Sequence, residues 1–156
     1  MILDQQKMHK YEYFQWNWIL IVGLGAVIVL LSLKLNDPVT PPLPFLATML
    51  IQVLLILLPL MFYGLRTTID DEKIKLRFGI GIITLKFDLS QIQSAEVVRN
   101  PWYYGIGIRL IPGGMLYNAH GFDAVEIHFK NKKHKVRIGT GEPEILKYEI
   151  EKRTAA

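Results

Sequence analysis

Hydrophobic residues follow two different patterns along the chain, and the pattern changes near residue 65. Before that point, two apolar runs at residues 18–33 and 45–65 contain no charged residue. A helix of about 20 apolar residues crosses the hydrocarbon core of a bilayer. The pattern therefore predicts two spanning helices, over residues 16–35 and 45–65. Beyond residue 65, apolar and polar residues alternate with a period of two, which predicts β-strands.

The segments around the two runs predict a helical hairpin in a membrane. The link, residues 36–44, contains four prolines, which lack an amide donor and exclude helix. Residues 1–15 carry both signs of charge and are predicted to be a short cytoplasmic segment. Trp and Tyr favour the headgroup zone of a membrane, so we expect the aromatic residues of residues 11–18 to lie there.

Residues 66–156 are predicted to form one small β domain. Residues 73–78 and 83–88 alternate around a glycine-containing turn, which indicates a hairpin with Lys75 opposite Lys86. A second hairpin places Ile127 opposite Val136. Pro143 suits a first helical turn, so a final helix is predicted over about residues 142–153. The expected fold class is a membrane protein of the α+β type, in which a two-helix hairpin precedes a small antiparallel barrel or sandwich closed by a C-terminal helix.

Charge and cysteine content predict the side of the membrane. Lys7 and Lys10 precede the first run and Arg66 follows the second, whereas Lys34 in the link is balanced by Asp37. Because Lys and Arg are enriched in cytoplasmic segments, both termini are expected in the cytoplasm. The chain contains no cysteine, which excludes disulfides and thiolate metal sites and suits a reducing compartment.

The residue types that carry catalysis or bind cofactors do not form a recognisable pattern. The four histidines have no metal-ligand spacing, and Gly105-Ile106-Gly107 lacks the third glycine and the following helix of a dinucleotide loop. No nucleophile is paired with a base by a motif. We therefore expect no enzyme activity, no cofactor and no metal. Nucleic acid is not an expected partner, because the net charge is only +4 and the aromatic residues do not recur along a basic strand.

Two groups of residues are candidate contact surfaces. The first is a basic face expected on the first hairpin, and it would meet anionic lipid or an acidic partner: Lys73, Lys75, Arg77 and Lys86. The second is an aromatic loop with a nearby arginine: Trp102, Tyr103, Tyr104 and Arg109. Arg109 is expected to stack on a ring or to pair with a carboxylate, or to contribute to a contact surface.

Three motifs in the β domain resemble those of a known group of proteins. They are Asn-Pro-Trp-Tyr-Tyr-Gly-Ile-Gly-Ile-Arg at residues 100–109, Pro-Gly-Gly-Met-Leu-Tyr-Asn at 112–118 and Arg-Ile-Gly-Thr-Gly-Glu-Pro at 137–143. With the preceding pair of apolar runs, they are similar to bacterial pleckstrin-homology-like (PH-like) membrane proteins of unknown function. The resemblance implies two bent antiparallel sheets closed by a helix, a role in binding rather than catalysis, and no particular ligand.

Two functions remain open at this point. The first is a non-enzymatic interaction or scaffold module in the bacterial cytoplasmic membrane, which binds a protein partner, a second copy of itself or anionic lipid. The second is an accessory subunit of a larger membrane complex, such as a transporter or secretion system, which makes its main contacts through the helices. Exchange of the helices for an unrelated hairpin separates the two, because only the first function survives it.

Overall fold

The computed structural model describes residues 10–35, 43–130 and 132–155, and these residues form an α+β fold with three α-helices and two β-sheets. The helices are α1 (Trp18–Leu35), α2 (Phe45–Phe62) and α3 (Pro143–Thr154). The strands are β1 (Tyr11–Trp16), β2 (Gly64–Ile69), β3 (Lys73–Phe78), β4 (Ile83–Asp88), β5 (Ile92–Arg99), β6 (Gly107–Ile111), β7 (Gly114–Asn118), β8 (Asp123–Phe129) and β9 (Lys135–Gly139).

The two apolar runs form α1 and α2, which contact each other. By length and composition, α2 is the one helix of the described residues that is able to cross a membrane, with a mean hydropathy of 2.5. The apolar part of α1, Trp18–Lys34, is shorter. The structure thus supplies one candidate span where the sequence predicted two. Residues 36–42, most of the predicted link, lie outside the described residues.

Both predicted spans are longer than the helices that form. Trp16 belongs to β1 and Leu65 to β2, and the two strands pair directly, with Trp16 opposite Gly64. This close pairing suits glycine, because a Cβ atom on Gly64 would lie 2.8 Å from the carbonyl oxygen of Gln15. The backbone groups just outside the helices therefore form hydrogen bonds between strands instead of helical ones. As a result, α1 begins only at residue 18 and α2 ends at residue 62.

The first sheet has the strand order β1-β2-β3-β4, and all its pairs are antiparallel. The predicted register of the β3–β4 hairpin is confirmed, with Lys75 opposite Lys86. The N-terminal residues, predicted to be a short cytoplasmic segment apart from the β domain, contribute a strand to this sheet. Residues 11–16 form the edge strand β1, which pairs with β2. In this strand Tyr11, Tyr13 and Gln15 point to the buried face of the sheet. Residues 1–9 lie outside the described residues.

The second sheet has the strand order β5-β8-β9-β7-β6. The predicted β8–β9 hairpin is confirmed, with Ile127 opposite Val136 and Glu126 opposite Arg137. The expectation of an entirely antiparallel structure is wrong, because β7 and β9 pair in parallel. The two sheets are separate and do not close into a barrel. A long connection from β7 through β8 brings β9 beside β7, which makes the parallel pair possible.

The core lies between the inner faces of the two sheets, and α3 covers one side of it. Helix α3 begins and ends within one residue of the predicted bounds. Leu146 and Ile150 are fully buried, whereas Ile145 and Tyr148 of the same predicted apolar stripe are exposed. The helix thus packs through a narrow stripe on β5 and β8.

Candidate functional site

The predicted basic face of the first hairpin carries charges of both signs. The Nζ atom of Lys75 donates a hydrogen bond to the carboxylate of Asp70 at 2.7 Å, and the Nζ atom of Lys73 lies 3.8 Å from the carboxylate of Asp88. The hydrogen bond from Lys75 lowers the pKa of Asp70, which also accepts bonds from two backbone amides. These acidic partners offset the repulsion between Lys75 and Lys86 that the register imposes.

The four basic residues lie at different distances from the helices. Strand β2 starts at the end of α2 and runs away from it, and β3 returns. Lys75 is opposite Thr68, four residues beyond Gly64, which places it about 13 Å along the strand at about 3.3 Å per residue. Arg77 is opposite Arg66, two residues beyond Gly64, which places it only about 7 Å along the strand. The number of residues between α2 and the basic face gives only an upper limit for these distances and does not separate Arg77 from the lysines.

Arg77 differs from the other residues of the basic face in its partners. It stands opposite Arg66, whose guanidinium is already bound to Glu12 at 2.8 Å and lies over the ring of Phe14. No carboxylate of the described residues lies within ion-pair distance of Arg77. Its side chain lies against the turn between β3 and β4, because a Cβ atom on Gly81 would be 2.5 Å from its Nη2 atom.

The predicted contact loop places two aromatic side chains in solvent. Trp102 and Tyr103 are 79% and 67% exposed and belong to a short 3-10 turn, Trp102–Tyr104. The ring of Tyr104 lies 5.7 Å from the guanidinium of Arg137. The contact that the structure gives Arg109 is a local one, since its Nε atom donates a hydrogen bond to the carbonyl oxygen of Ile106 at 2.9 Å. The sequence did not identify Arg137 as the cation beside the loop.

A buried charge network supports this loop. Glu126 is 6% exposed, and its carboxylate binds the Nε atom of Arg137 at 2.5 Å and the Nζ atom of Lys135 at 3.1 Å. Arg137 also donates from Nη1 to the side-chain oxygen of Asn100 at 3.0 Å. Burial alone raises the pKa of Glu126, but the bonds and charges of Arg137 and Lys135 outweigh it, so the pKa is lowered. The network connects the base of the loop to β8 and β9.

The junction between the helices and the first sheet is held by Asn17, which the sequence did not single out. Its backbone nitrogen donates to the carbonyl oxygen of Tyr63 at 2.8 Å, and its side-chain nitrogen, Nδ2, donates to the carbonyl oxygen of Phe62 at 3.1 Å. Its side-chain oxygen accepts a bond from the amide of Leu20 and so caps α1. One buried residue therefore joins the start of α1 to the end of α2.

Aromatic rings surround this junction. Trp16 and Trp18 stack with their centroids 5.8 Å apart, and the rings of Phe14 and Tyr63 lie within about 6 Å of Trp16. The second sheet joins the same place, because the side-chain nitrogen of Gln15 donates to the carbonyl oxygen of His120. The junction thus includes parts of both sheets as well as the two helices.

Within the described residues, no group of three or more His, Cys, Asp or Glu side chains is arranged to hold a metal ion. His128 contacts Glu126 at 3.0 Å, inside the charge network of β8 and β9.

Comparison of the chain with protein-family models, with curated proteins and with solved structures found no match.

Proposed function

We propose that the chain is a non-enzymatic, membrane-anchored interaction or scaffold module. In this proposal α1 and α2 form a transmembrane hairpin in the bacterial cytoplasmic membrane, with both termini in the cytoplasm. The two sheets and α3 form a PH-like domain on the cytoplasmic side. This domain binds a protein partner, which includes a second copy of the chain, and anionic lipid is an additional ligand.

The apolar surface of the helices supports the membrane anchor. No residue of α2 is buried, and α1 likewise exposes large apolar side chains. An exposed apolar surface of this extent is unfavourable in water and indicates contact with a membrane or with another protein. Charged residues are absent from both apolar runs and cluster beyond their outer ends, as expected for helices that leave and re-enter the cytoplasm.

The exposed pair Trp102 and Tyr103 is the observation that carries the binding proposal. Large aromatic side chains supply a disproportionate share of the energy at protein interfaces. They bind more tightly when the free protein already holds them in place, because less entropy is then lost on binding. The contacts of Tyr104 with Arg137, and of Arg137 with Asn100, hold the loop in this way.

Photo-crosslinking in native membranes tests this proposal. A photoreactive phenylalanine analogue at position 102 should give a discrete crosslinked protein product, and Tyr103→Ser in the same chain should reduce that product. The control is the same analogue at Tyr148, which is also an exposed aromatic residue but lies on α3. A product of twice the chain mass indicates self-association, which is one form of the proposal. No protein product at position 102, lipid products alone, or equal products at 102 and 148 would contradict it.

One observation favours the alternative, an accessory subunit that binds through its helices. Gln52 is exposed on α2, and together with Ser32 and Thr48 it lines a cleft of about 170 Å³ between the helices. An amide side chain in hydrocarbon gains from a hydrogen bond to a neighbouring helix. This alternative predicts a protein crosslink from the analogue at position 52 and none from position 102.

A further inference from the structure

The turn between β3 and β4, residues 79–82, is apolar and exposed. Its sequence is Gly-Ile-Gly-Ile, and the side chains of Ile80 and Ile82 are 51% and 65% exposed. Turns that face water normally carry Gly, Pro, Asn, Asp or Ser. Here glycine supplies the backbone freedom, with positive φ at Gly79 and Gly81, but isoleucine occupies the outward positions. This composition indicates that the turn contacts an apolar environment as well as water.

Contacts with α2 determine where this turn lies relative to the helices. The amide of Ile80 donates to the carbonyl oxygen of Leu60 at 3.0 Å, and Gly79 is in tight contact with the backbone of Leu60 and Met61. The 18 residues of α2 measure about 27 Å, slightly less than the roughly 30 Å of a hydrocarbon core. A spanning α2 must therefore lie in the membrane over nearly its whole length. Leu60 then lies at the membrane boundary, and the turn bonded to it lies at the same depth.

The residues next to the turn are those expected at a membrane boundary. Trp16, Trp18 and Tyr63 gather at the ends of α1 and α2, and such rings favour the headgroup zone. Arg77 lies against Gly81 and, in the part of the chain that the structure describes, has no carboxylate partner. A guanidinium in that place matches the phosphate of a phospholipid headgroup in charge and in hydrogen-bonding geometry.

We infer that the β3–β4 turn inserts Ile80 and Ile82 into the interface of the membrane that holds α2, while Arg77 binds a headgroup phosphate. The inference rests on the proposed membrane anchor and gives the β domain a third point of attachment. It also fixes the orientation of the domain relative to the membrane, because the two helices and the turn are three attachment points that do not lie on a straight line. The lysines of the basic face remain in the aqueous phase, away from the headgroups.

The absence of native cysteine allows a site-specific test on the full chain. A polarity-sensitive fluorophore is attached to Ile82→Cys, and the protein is reconstituted into phosphatidylcholine–phosphatidylglycerol vesicles. The control is Asp71→Cys in the β2–β3 turn, at the other end of strand β3. The six residues of this strand separate the two turns by about 20 Å. We expect blue-shifted emission at position 82 and quenching there by a lipid carrying a nitroxide near its headgroup. At position 71 we expect neither.

A second pair of variants tests the role of Arg77. Arg77→Glu in the Ile82→Cys protein should reduce the quenching, whereas Lys86→Glu should leave it unchanged. Flotation of each labelled protein with the vesicles reports the membrane anchor separately. Protein that floats but shows the same unquenched emission at positions 82 and 71 overturns the inference and leaves the anchor intact. Protein that does not float overturns the anchor itself. Equal effects of Arg77→Glu and Lys86→Glu contradict the assigned phosphate contact.

Discussion

The amide nitrogen of Ile80 lies 3.0 Å from the carbonyl oxygen of Leu60 and donates a hydrogen bond to it. This bond joins a β-turn to the last turn of a helix, where carbonyl groups have no partner within the helix itself. Asn17 satisfies the carbonyl of Phe62 at the same end. The β domain therefore caps α2, and the two parts of the chain are connected by more than the covalent link at Tyr63.

The tight contact of Gly79 with α2 predicts a large effect of a small substitution. A Cβ atom at Gly79 would lie 2.1 Å from the carbonyl oxygen of Leu60, whereas one at Gly107 would meet nothing within 4 Å. Both glycines have positive φ, so both substitutions by alanine strain the backbone, by about 1–2 kcal/mol. Gly79→Ala adds the clash and should cost about 3 kcal/mol or more in total. Urea unfolding of the β domain in detergent measures both. Equal losses would show that the turn is not packed on α2.

Asn17 is predicted to stabilise the junction through its side chain. Replacement by alanine removes the cap of α1 and the bond to the carbonyl of Phe62, and should lower the free energy of unfolding by about 1–3 kcal/mol. Gln93→Ala is the matched control, because Gln93 is an exposed amide on β5. It should change the stability by less than about 0.5 kcal/mol. Thermal unfolding monitored by circular dichroism compares the two; a loss of the same size at Gln93 would argue against a specific role for Asn17.

The lowered pKa of Glu126 predicts a dependence of stability on pH. A carboxyl group whose pKa is lower in the folded state stabilises the fold above its unfolded pKa. That stability is lost as the pH falls from the ordinary value of 4.5 through the lower folded value. Glu126→Gln should reduce this dependence, with the contribution of Asp70 remaining, and should cost about 3–5 kcal/mol at neutral pH, because Arg137 loses its buried charge partner.

Glu96 provides the control for that substitution. It lies directly opposite Glu126 on β5 but is exposed, so Glu96→Gln removes a like-charged neighbour and should be neutral or slightly stabilising. Urea unfolding at a series of pH values from neutral to acidic measures both variants. Retention of the full acid dependence in Glu126→Gln would mean that other carboxyl groups cause it.

Helix α3 should tolerate substitution at one of two adjacent apolar residues only. Leu146 is fully buried against the sheets, and Leu146→Ala should cost about 2–5 kcal/mol. Ile145 is half exposed, and Ile145→Ala should cost less than about 1 kcal/mol. Urea unfolding of the two variants distinguishes a docked helix from a detached one, since a detached helix would make the two losses equally small.

The parts of the fold that the sequence predicted are those with a strong local period. The β3–β4 register followed from two alternating stretches around one turn, and the β8–β9 register followed in the same way. Strand β1 was missed because its partner, β2, is separated from it by both helices, and its aromatic residues also suit a membrane interface. The parallel pairing of β7 and β9 has no local signature, because it depends on the path of the chain through β8.

The candidate site was predictable in its exposed residues and not in what supports them. Trp102 and Tyr103 stood out by composition, and both are exposed. Their support comes from Arg137, which is distant in sequence and which no local pattern connects with the loop. The separation of Arg77 from the lysines depends on the direction of β2 away from α2, which an alternating pattern does not encode.

Cysteine accessibility tests most directly the claim that the chain is a membrane-anchored module with a cytoplasmic β domain. The chain has no native cysteine, so Asp71→Cys introduces a single thiol on an exposed turn of that domain. A membrane-impermeant maleimide should label it in inverted inner-membrane vesicles and leave it unlabelled in intact spheroplasts. Labelling in intact spheroplasts, or recovery of the labelled chain in the soluble fraction after an alkaline carbonate wash, would contradict the account.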